Sequence, residues 1–476
     1  MSGDADRLRP RGSWPPVPEP AFAASGSPAQ RRALLVSIAH PPSTEVGALR
    51  WEKIAQAASA RGCTLDVLLV LPDLGAGRDD RRLDLLPAGS RIYDIPLRDA
   101  PLARLERSVR ALLGQGASAR GASAEAADGK RAGGVGRAAR GGMLTAPIRA
   151  FRAWQHFARW DEWIERAVAC GLALGHATSY AWIASSGPPH AAHEAARRIS
   201  RGLARPLVVD FRDPCYVPAE APPDMNGAFW RRRTAMLEAR VVDAARLVVA
   251  NTDSSHELLR ARYPGAAARI LTVMNGADGD GRLDPGDLGP RGPFLLAHTG
   301  SLYGGRDPIA FLRAVARVVS RHGLGPDQLR VHFMGDARYE GRAIADLAAG
   351  CGISDHVTCE GRRPREQALA LMGSAAMLVV LPQLHVHAIP AKLFEYVQYP
   401  AWILVLCEAG VAIERLLRTT SADIVPPDDV EAIARVIEAR LVAYRNAGRP
   451  QPLNADGRFD RVHQVARLLD ALEGLA

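Results

Sequence analysis

The sequence predicts an α/β protein of two doubly wound domains facing a cleft, and three observations carry that expectation. Short apolar runs alternate with helix-periodic segments from "ALLVSI" (33–38) to "ILTVMNG" (270–276). The same alternation restarts at "FLLAHTG" (294–300) and continues to a helix beginning near Asp429. Between the two series lies "DGDGRLDPGDLGPRG" (278–292), turn chemistry throughout and suited to an interdomain linker. Two consecutive βα series with a linker between them read as two such domains, and 476 residues suit roughly two or three domains.

The elements follow in order. Residues 1–30 are rich in Pro, Gly and Ser, lack an apolar h-region, and are expected to be a disordered tail and not a signal peptide. The first domain is expected over 31–280. It opens with strand "ALLVSI", a helix in "EVGALRWEKIAQAASARG" and strand "TLDVLLVLP", a βαβ start. Residues 115–142 form a Gly/Ala/Arg low-complexity insert, expected as a flexible loop. An aromatic and arginine-rich helical stretch follows, then strands at "AWIASS", "LVVDF", "LVVAN" and "ILTVMNG". The second domain is expected over 291–455, with strands "FLLAHTG", "LRVHFMG", "HVTCEG", "MLVVLP", "WILVLC" and "ADIVP". A last helix within 456–476 is expected to pack back onto the first domain.

Composition narrows the function. Formal net charge is +9, which suits nucleic acid, an anionic membrane surface or a phosphorylated substrate. Signatures of nucleic-acid modules do not stand out, so no nucleic-acid partner is expected. No run approaches the roughly 18 apolar residues of a spanning helix. Six cysteines (63, 170, 215, 351, 359, 407) stand without a CxxC pair, which favours a reducing cytosol over zinc or disulfides. The first strand does not run into GxGxxG, and no GxxxxGK[ST] occurs, which disfavours a dinucleotide dehydrogenase and a P-loop NTPase.

The chemistry concentrates at strand ends. "IPAKLFEYVQYP" (389–400) places Lys392 and Glu395 three residues apart just after Pro390, on one face of a helix start. Basic positions are nearly all Arg. The lysines are Lys53, Lys130 and Lys392, so Lys392 reads as a point charge wanted in place of a guanidinium fork. "FLLAHTG" runs into "SLYGGRDP", a glycine-containing turn whose backbone N–H groups can approach an anion while Arg306 grips it bidentately. Lys392 and Arg306 together suggest a diphosphate clamp, with Glu395 accepting from ribose hydroxyls. In the first domain, "SSGPPHAAHEAA" (185–196) and "VVDFRDPCYVP" (208–218) end predicted strands and bring His190, His193, Arg212 and Asp213 towards the cleft. "HVH" (385–387) and "DGD" (278–280) are weak metal-ligand patterns, so no metal is expected. Arginines interleave with Phe151, Trp154, Phe157 and Trp160 in one helix. That pattern suits a peripheral contact with an anionic membrane, against which stands an ordinary core-facing amphipathic helix.

In this order, "SSGPPHAAH", "VVDFRDP", Glu238 in "MLEARVVDAARLVVANT", "VMNGAD", "HTGSLYGGRDP" and "IPAKLFEYVQYP" resemble the GT-B, family-4-like bacterial retaining glycosyltransferases. The resemblance spans residues 33–445 apart from the insert. It implies two Rossmann-like domains. The second would bind a nucleoside diphosphate sugar at Gly300, Ser301, Arg306, His387, Lys392 and Glu395. The first would bind a glycan, lipid-linked or small-molecule acceptor, with Arg50, His190 and Arg212 on the acceptor side of the cleft. Asp213, Arg306 and Lys392 would be catalytic, Asp213 lying near the reacting carbon. His387 stands where many members have Glu, and Ser301 where many have Arg. The resemblance implies metal-independent transfer without a cofactor beyond the sugar nucleotide, in a cytoplasmic protein that works at the inner face of the membrane. A catalytically silent sugar-nucleotide-binding partner and a sugar-nucleotide epimerase are the alternatives.

Overall fold

The structure is a computed structural model describing residues 17–26, 31–73, 77–98, 145–217, 227–279, 292–302, 305–335, 338–381 and 386–475. The first domain holds strands β1 (Phe22–Ala23), β2 (Arg31–Ser37), β3 (Cys63–Leu69), β4 (Arg91–Asp94), β5 (Ile183–Gly187), β6 (Leu207–Phe211), β7 (Leu247–Ala250) and β8 (Ile270–Thr272). Their order in the sheet is β1-β4-β3-β2-β5-β6-β7-β8, parallel throughout except β1 against β4. Helices cover both faces, so β5, β6 and β7 are buried at every residue and read as unbroken apolar runs.

The second domain holds β9 (Phe294–Gly300), β10 (Leu329–Gly335), β11 (Arg338–Tyr339), β12 (Arg342–Ala343), β13 (Val357–Glu360), β14 (Met377–Val380), β15 (Trp402–Leu406) and β16 (Asp423–Val425). Its main sheet has the order β13-β10-β9-β14-β15-β16, all parallel. The chain builds outward from β9 to β13, then returns to β9's other side with β14. That reversal opens a crevice beyond the carboxyl ends of β9 and β14. A second reversal falls between β2 and β5.

The expectation of a disordered tail over 1–30 is corrected in part. Phe22–Ala23 lies inside the stretch expected as a disordered tail, yet it pairs antiparallel with β4. Strand β4 itself, only four residues long, was not foreseen. Residues 1–16 and the insert 115–142 lie outside the described residues.

The last helix, Arg461–Glu473, inserts Val465, Leu468, Leu469 and Leu472 into the first domain's core beside Trp51 and Ile54. The segment before it belongs to the second domain, where Phe459 is buried and Asn454 N–H donates to the Val397 carbonyl at 2.8 Å. The crossing between domains therefore falls at residues 460–461.

Arg50 is also corrected. It lies on the helix Val46–Ala60 at 2% exposure and turns inward. Its Nη2 donates to Asp210 at 2.8 Å and to the Val273 carbonyl at 2.8 Å, and its Nε to Asp210 at 3.0 Å. Trp51 Nε1 and Ser186 Oγ donate to the same carboxylate at 2.8 and 3.0 Å. Asp210 ends up at 1% exposure on β6, where a buried carboxylate needs a cation and a full set of donors. Arg50→Leu removes the cation and leaves Asp210 uncompensated. We expect it to cost about 3–5 kcal/mol, measured as a lowered urea midpoint of the full chain.

Candidate active site

The second domain's crevice is built from β9 outward. His298 sits at 2% exposure near the end of β9, a polar residue within an apolar strand. Its Nδ1 lies 2.8 Å from the Val379 carbonyl and its Nε2 lies 3.0 Å from Lys392 Nζ. An ammonium can only donate, so Nε2 accepts and Nδ1 carries the proton given to Val379. Burial, reinforced by the Lys392 charge, holds the His298 pKa well below the usual histidine range.

Two residues on, Gly300 has φ +103°, and a Cβ there would sit 3.1 Å from Lys392 Nζ. Glycine is needed both for the left-handed backbone and for the ammonium's close approach. Tyr396 lies one turn after Lys392 on the helix Ala391–Tyr396, and its hydroxyl accepts from Thr299 N–H at 2.8 Å. Lys392 and Tyr396 therefore share one helix face docked on the end of β9.

Arg306 is 9% exposed, and its Nη1 donates to the Ser301 carbonyl at 3.0 Å, bracing the turn that it closes. Its charge is felt at His298 as well. Gly300, Ser301, Arg306 and Lys392 thus meet at one place. Glu395 turns towards another element, forming an ion pair with Arg365 at the start of the helix Arg365–Ser374.

The first domain presents the facing edge. His387 reaches it from the second domain: its Nδ1 lies 2.7 Å from Ser254 Oγ, and its carbonyl accepts from Thr252 Oγ1 at 2.7 Å. Thr252 and Ser254 follow the carboxyl end of β7, while His387 follows that of β14. Nearby, Arg415 pairs with Glu257 at 2.5 Å. The carboxyl edges of the two sheets therefore face each other.

Beyond β6, Arg212 packs its guanidinium against Gly47 and donates to the Pro188 carbonyl, with Asp213 next in the loop. Glu238, at 0% exposure, secures that loop from below by accepting from Tyr216 N–H at 3.0 Å and from Arg262. The His190 and His193 rings lie 5.5 Å apart, tilted by 31°, beyond β5. Burial drives the His190 pKa down to about 3 and that of His193 well below its usual value. His190, His193 and Cys215 bring their ligand atoms within 4.8 Å of one another. The charge beside both rings is the Arg212 guanidinium, which disfavours a divalent cation. Asp278 of "DGD" is bound to Arg461 at 2.6 Å, and His385 of "HVH" lies outside the described residues.

Sequence reasoning missed His298, Tyr396 and Arg365. The signals were present: a buried strand ending in His-Thr-Gly, and an i,i+4 partner for Lys392.

No family model matches the chain. D-inositol 3-phosphate glycosyltransferase 1 of Catenulispora acidiphila is 31% identical over 209 residues, covering 40% of this chain and 49% of that protein. The D-inositol 3-phosphate glycosyltransferase of Corynebacterium kroppenstedtii is 32% identical over 161 residues, covering 30% of this chain and 35% of that one. The chain thus matches half or less of the length of these curated relatives. Among solved structures, Anabaena HepE in complex with UDP superposes with a TM-score of 0.60 at 16% identity, covering 93% of this chain and 100% of that one. Sucrose-phosphate synthase of Thermosynechococcus elongatus gives 0.60 at 14% identity, covering 94% and 99%. The fold is GT-B.

The buried histidines set an acid limit. His40 is pushed to about 4 and His190 to about 3, with His193 and His298 also well below 6.5, each chiefly by burial. The unfolded chain takes up these protons near pH 6.5 while the folded chain does not. Their stabilising contribution is therefore full above 6.5 and is lost as pH falls towards 4. Each group costs about 1.4 kcal/mol per pH unit. The thermal midpoint should hold between pH 7 and 8 and drop steeply between 6.5 and 5, above the range where carboxylates titrate.

Proposed function

We propose that this GT-B chain is a retaining, metal-independent glycosyltransferase. It moves a sugar from a nucleoside diphosphate sugar to a glycan, lipid-linked or small-molecule acceptor in bacterial polysaccharide or glycolipid synthesis. One observation carries the reading: Lys392, Arg306 and the Gly300 turn converge beyond the carboxyl ends of β9 and β14, the edge from which His387 meets Ser254 of the first domain. The second domain then holds the sugar nucleotide and the first the acceptor. HepE, which shares the fold, was solved in complex with UDP, which supports a nucleotide-bearing donor.

Negative charge grows on the diphosphate as the glycosidic bond breaks. Lys392 and Arg306, held before the substrate arrives, stabilise it without a metal. Glu395 receives the ribose after exchanging Arg365 for hydroxyl donors. Asp213 lies beside the acceptor at the reacting carbon. No protein nucleophile is assigned; attack from the leaving group's face retains configuration. His387, bound to Ser254, closes the cleft and keeps the two edges in register.

Nucleotide release from a panel of sugar nucleotides, with and without lipid and soluble acceptors and in excess chelator, tests this reading. Transfer should need an acceptor and persist in chelator, and Lys392→Ala should lower turnover about 10²-fold or more. Conversion of the donor without an acceptor would identify an epimerase, and binding without turnover a silent partner.

The same reading places the chain at the inner face of the membrane. Among the described residues no helix is long and apolar enough to cross one. Phe151 and Trp154 stack on the helix Thr145–Ala177 at 45% and 40% exposure, instead of facing the core as Trp160 and Trp163 do. Phe229 extends the patch at 41%, with Arg231 and Arg232 exposed beside it. Aromatics at that level bury in an interface, and each arginine adds about 1 kcal/mol against anionic lipid. Co-sedimentation with anionic vesicles should be strong at low salt and fade as salt rises. It should be lost in Phe151→Ser/Trp154→Ser; unchanged binding there would remove this helix from the contact.

A further inference from the structure

We infer that His298 is a positioning residue for transfer, its Nε2 accepting from Lys392 so that the ammonium is held over the Gly300 turn where the leaving diphosphate sits. This inference rests on the function proposed above and extends it to a residue outside the clamp.

β9 and β14 pair at Leu296↔Met377 and Ala297↔Leu378, and the pairing ends there because the strands part at the reversal of the sheet. One residue further, the His298 ring bridges the gap with its 2.8 Å bond to the Val379 carbonyl. On the other side β9 stays paired with β10, His298 opposite Phe333, whose ring lies 5.9 Å away. The imidazole is therefore fixed by both neighbouring strands, with one nitrogen left facing the crevice.

Lysine has a flexible four-carbon stem, and a cation useful in a transition state must already stand in place. Nε2 supplies a fixed acceptor 3.0 Å from Nζ. Gly300, lacking a Cβ, leaves the approach to the same nitrogen open. A carboxylate in that place would also fix the ammonium, but it would cancel the charge that the diphosphate needs. A neutral imidazole holds the ammonium and leaves its charge intact. Arg306 and Lys392 are the cations facing the ring, and Tyr396 docks on the neighbouring Thr299; both charges oppose protonation of His298.

A double-mutant cycle on the full chain tests the inference. His298→Leu should lower kcat about tenfold or more with donor KM changed less than about threefold, and His298→Gln, whose amide oxygen can accept, should recover most of it. In a Lys392→Ala background, His298→Leu should cost nothing further, because the two act as a unit. Equal losses in both backgrounds, or full activity in His298→Leu, would overturn it. The ¹⁵N spectrum of histidine-labelled protein is an independent arm. Nε2 should be unprotonated from pH 8 to 6 and should shift on Lys392→Ala; a protonated Nε2, or titration near 6.5, would also overturn the inference. If the wild-type chain turns over no sugar nucleotide, the proposed function fails by itself, and the spectrum alone judges His298.

Discussion

The first domain is organised around a buried negative charge. Asp210 lies in the middle of a parallel sheet, where an isolated carboxylate would be untenable. It persists because Arg50 and Trp51 from one helix and Ser186 from the neighbouring strand all donate to it. Arg50 also reaches the Val273 carbonyl beyond β8. One residue past Phe211, Arg212 donates its own N–H to the Gly187 carbonyl at 2.9 Å, so the "DFRDP" loop leaves the sheet from a fixed point. Asp213 inherits its backbone position from this network, and the two carboxylates of one short motif divide into a buried strut and a partly exposed loop residue.

The second domain meets the same demand with opposite charge. Its crevice brings two cations close together, and neutral groups help to hold both in place. A carbonyl anchors Arg306 and an imidazole contributes to anchoring Lys392. The one acidic side chain of the sequence motif, Glu395, is drawn off by Arg365. The positive potential of the crevice thus survives for an anion brought in from outside.

Most of the fold was legible because parallel strands covered on both faces write themselves as apolar runs; "LVVDF", "FLLAHTG" and "LRVHFMG" match β6, β9 and β10 residue for residue. The misses have physical reasons. Strand β4 is too short to show a period, and β1 is an edge pair of two residues. Lys392, Gly300 and Arg306 were legible from turn chemistry and from the scarcity of lysine. Arg50 was misread because a sequence does not reveal whether an arginine on an amphipathic helix turns inward, and its partner lies 160 positions away. His298 was hidden inside a strand that otherwise reads as pure core. The contact of the His387 ring with Ser254 was not legible either, because only the facing of the two sheets creates it.

The return of the final helix to the first domain has a consequence for how the chain can be divided. The first domain is not a continuous stretch of sequence, since Val465, Leu468, Leu469 and Leu472 complete the core around Trp51 and Ile54. A fragment ending at the linker would expose that apolar groove to water and invite aggregation. An exchange of first domains between related chains would have to carry residues 461–473 with the amino-terminal half, as two separate pieces of one unit. Evolution by fusing or swapping whole domains faces the same bookkeeping, because the helix after residue 460 belongs to the first domain and the segment before it to the second.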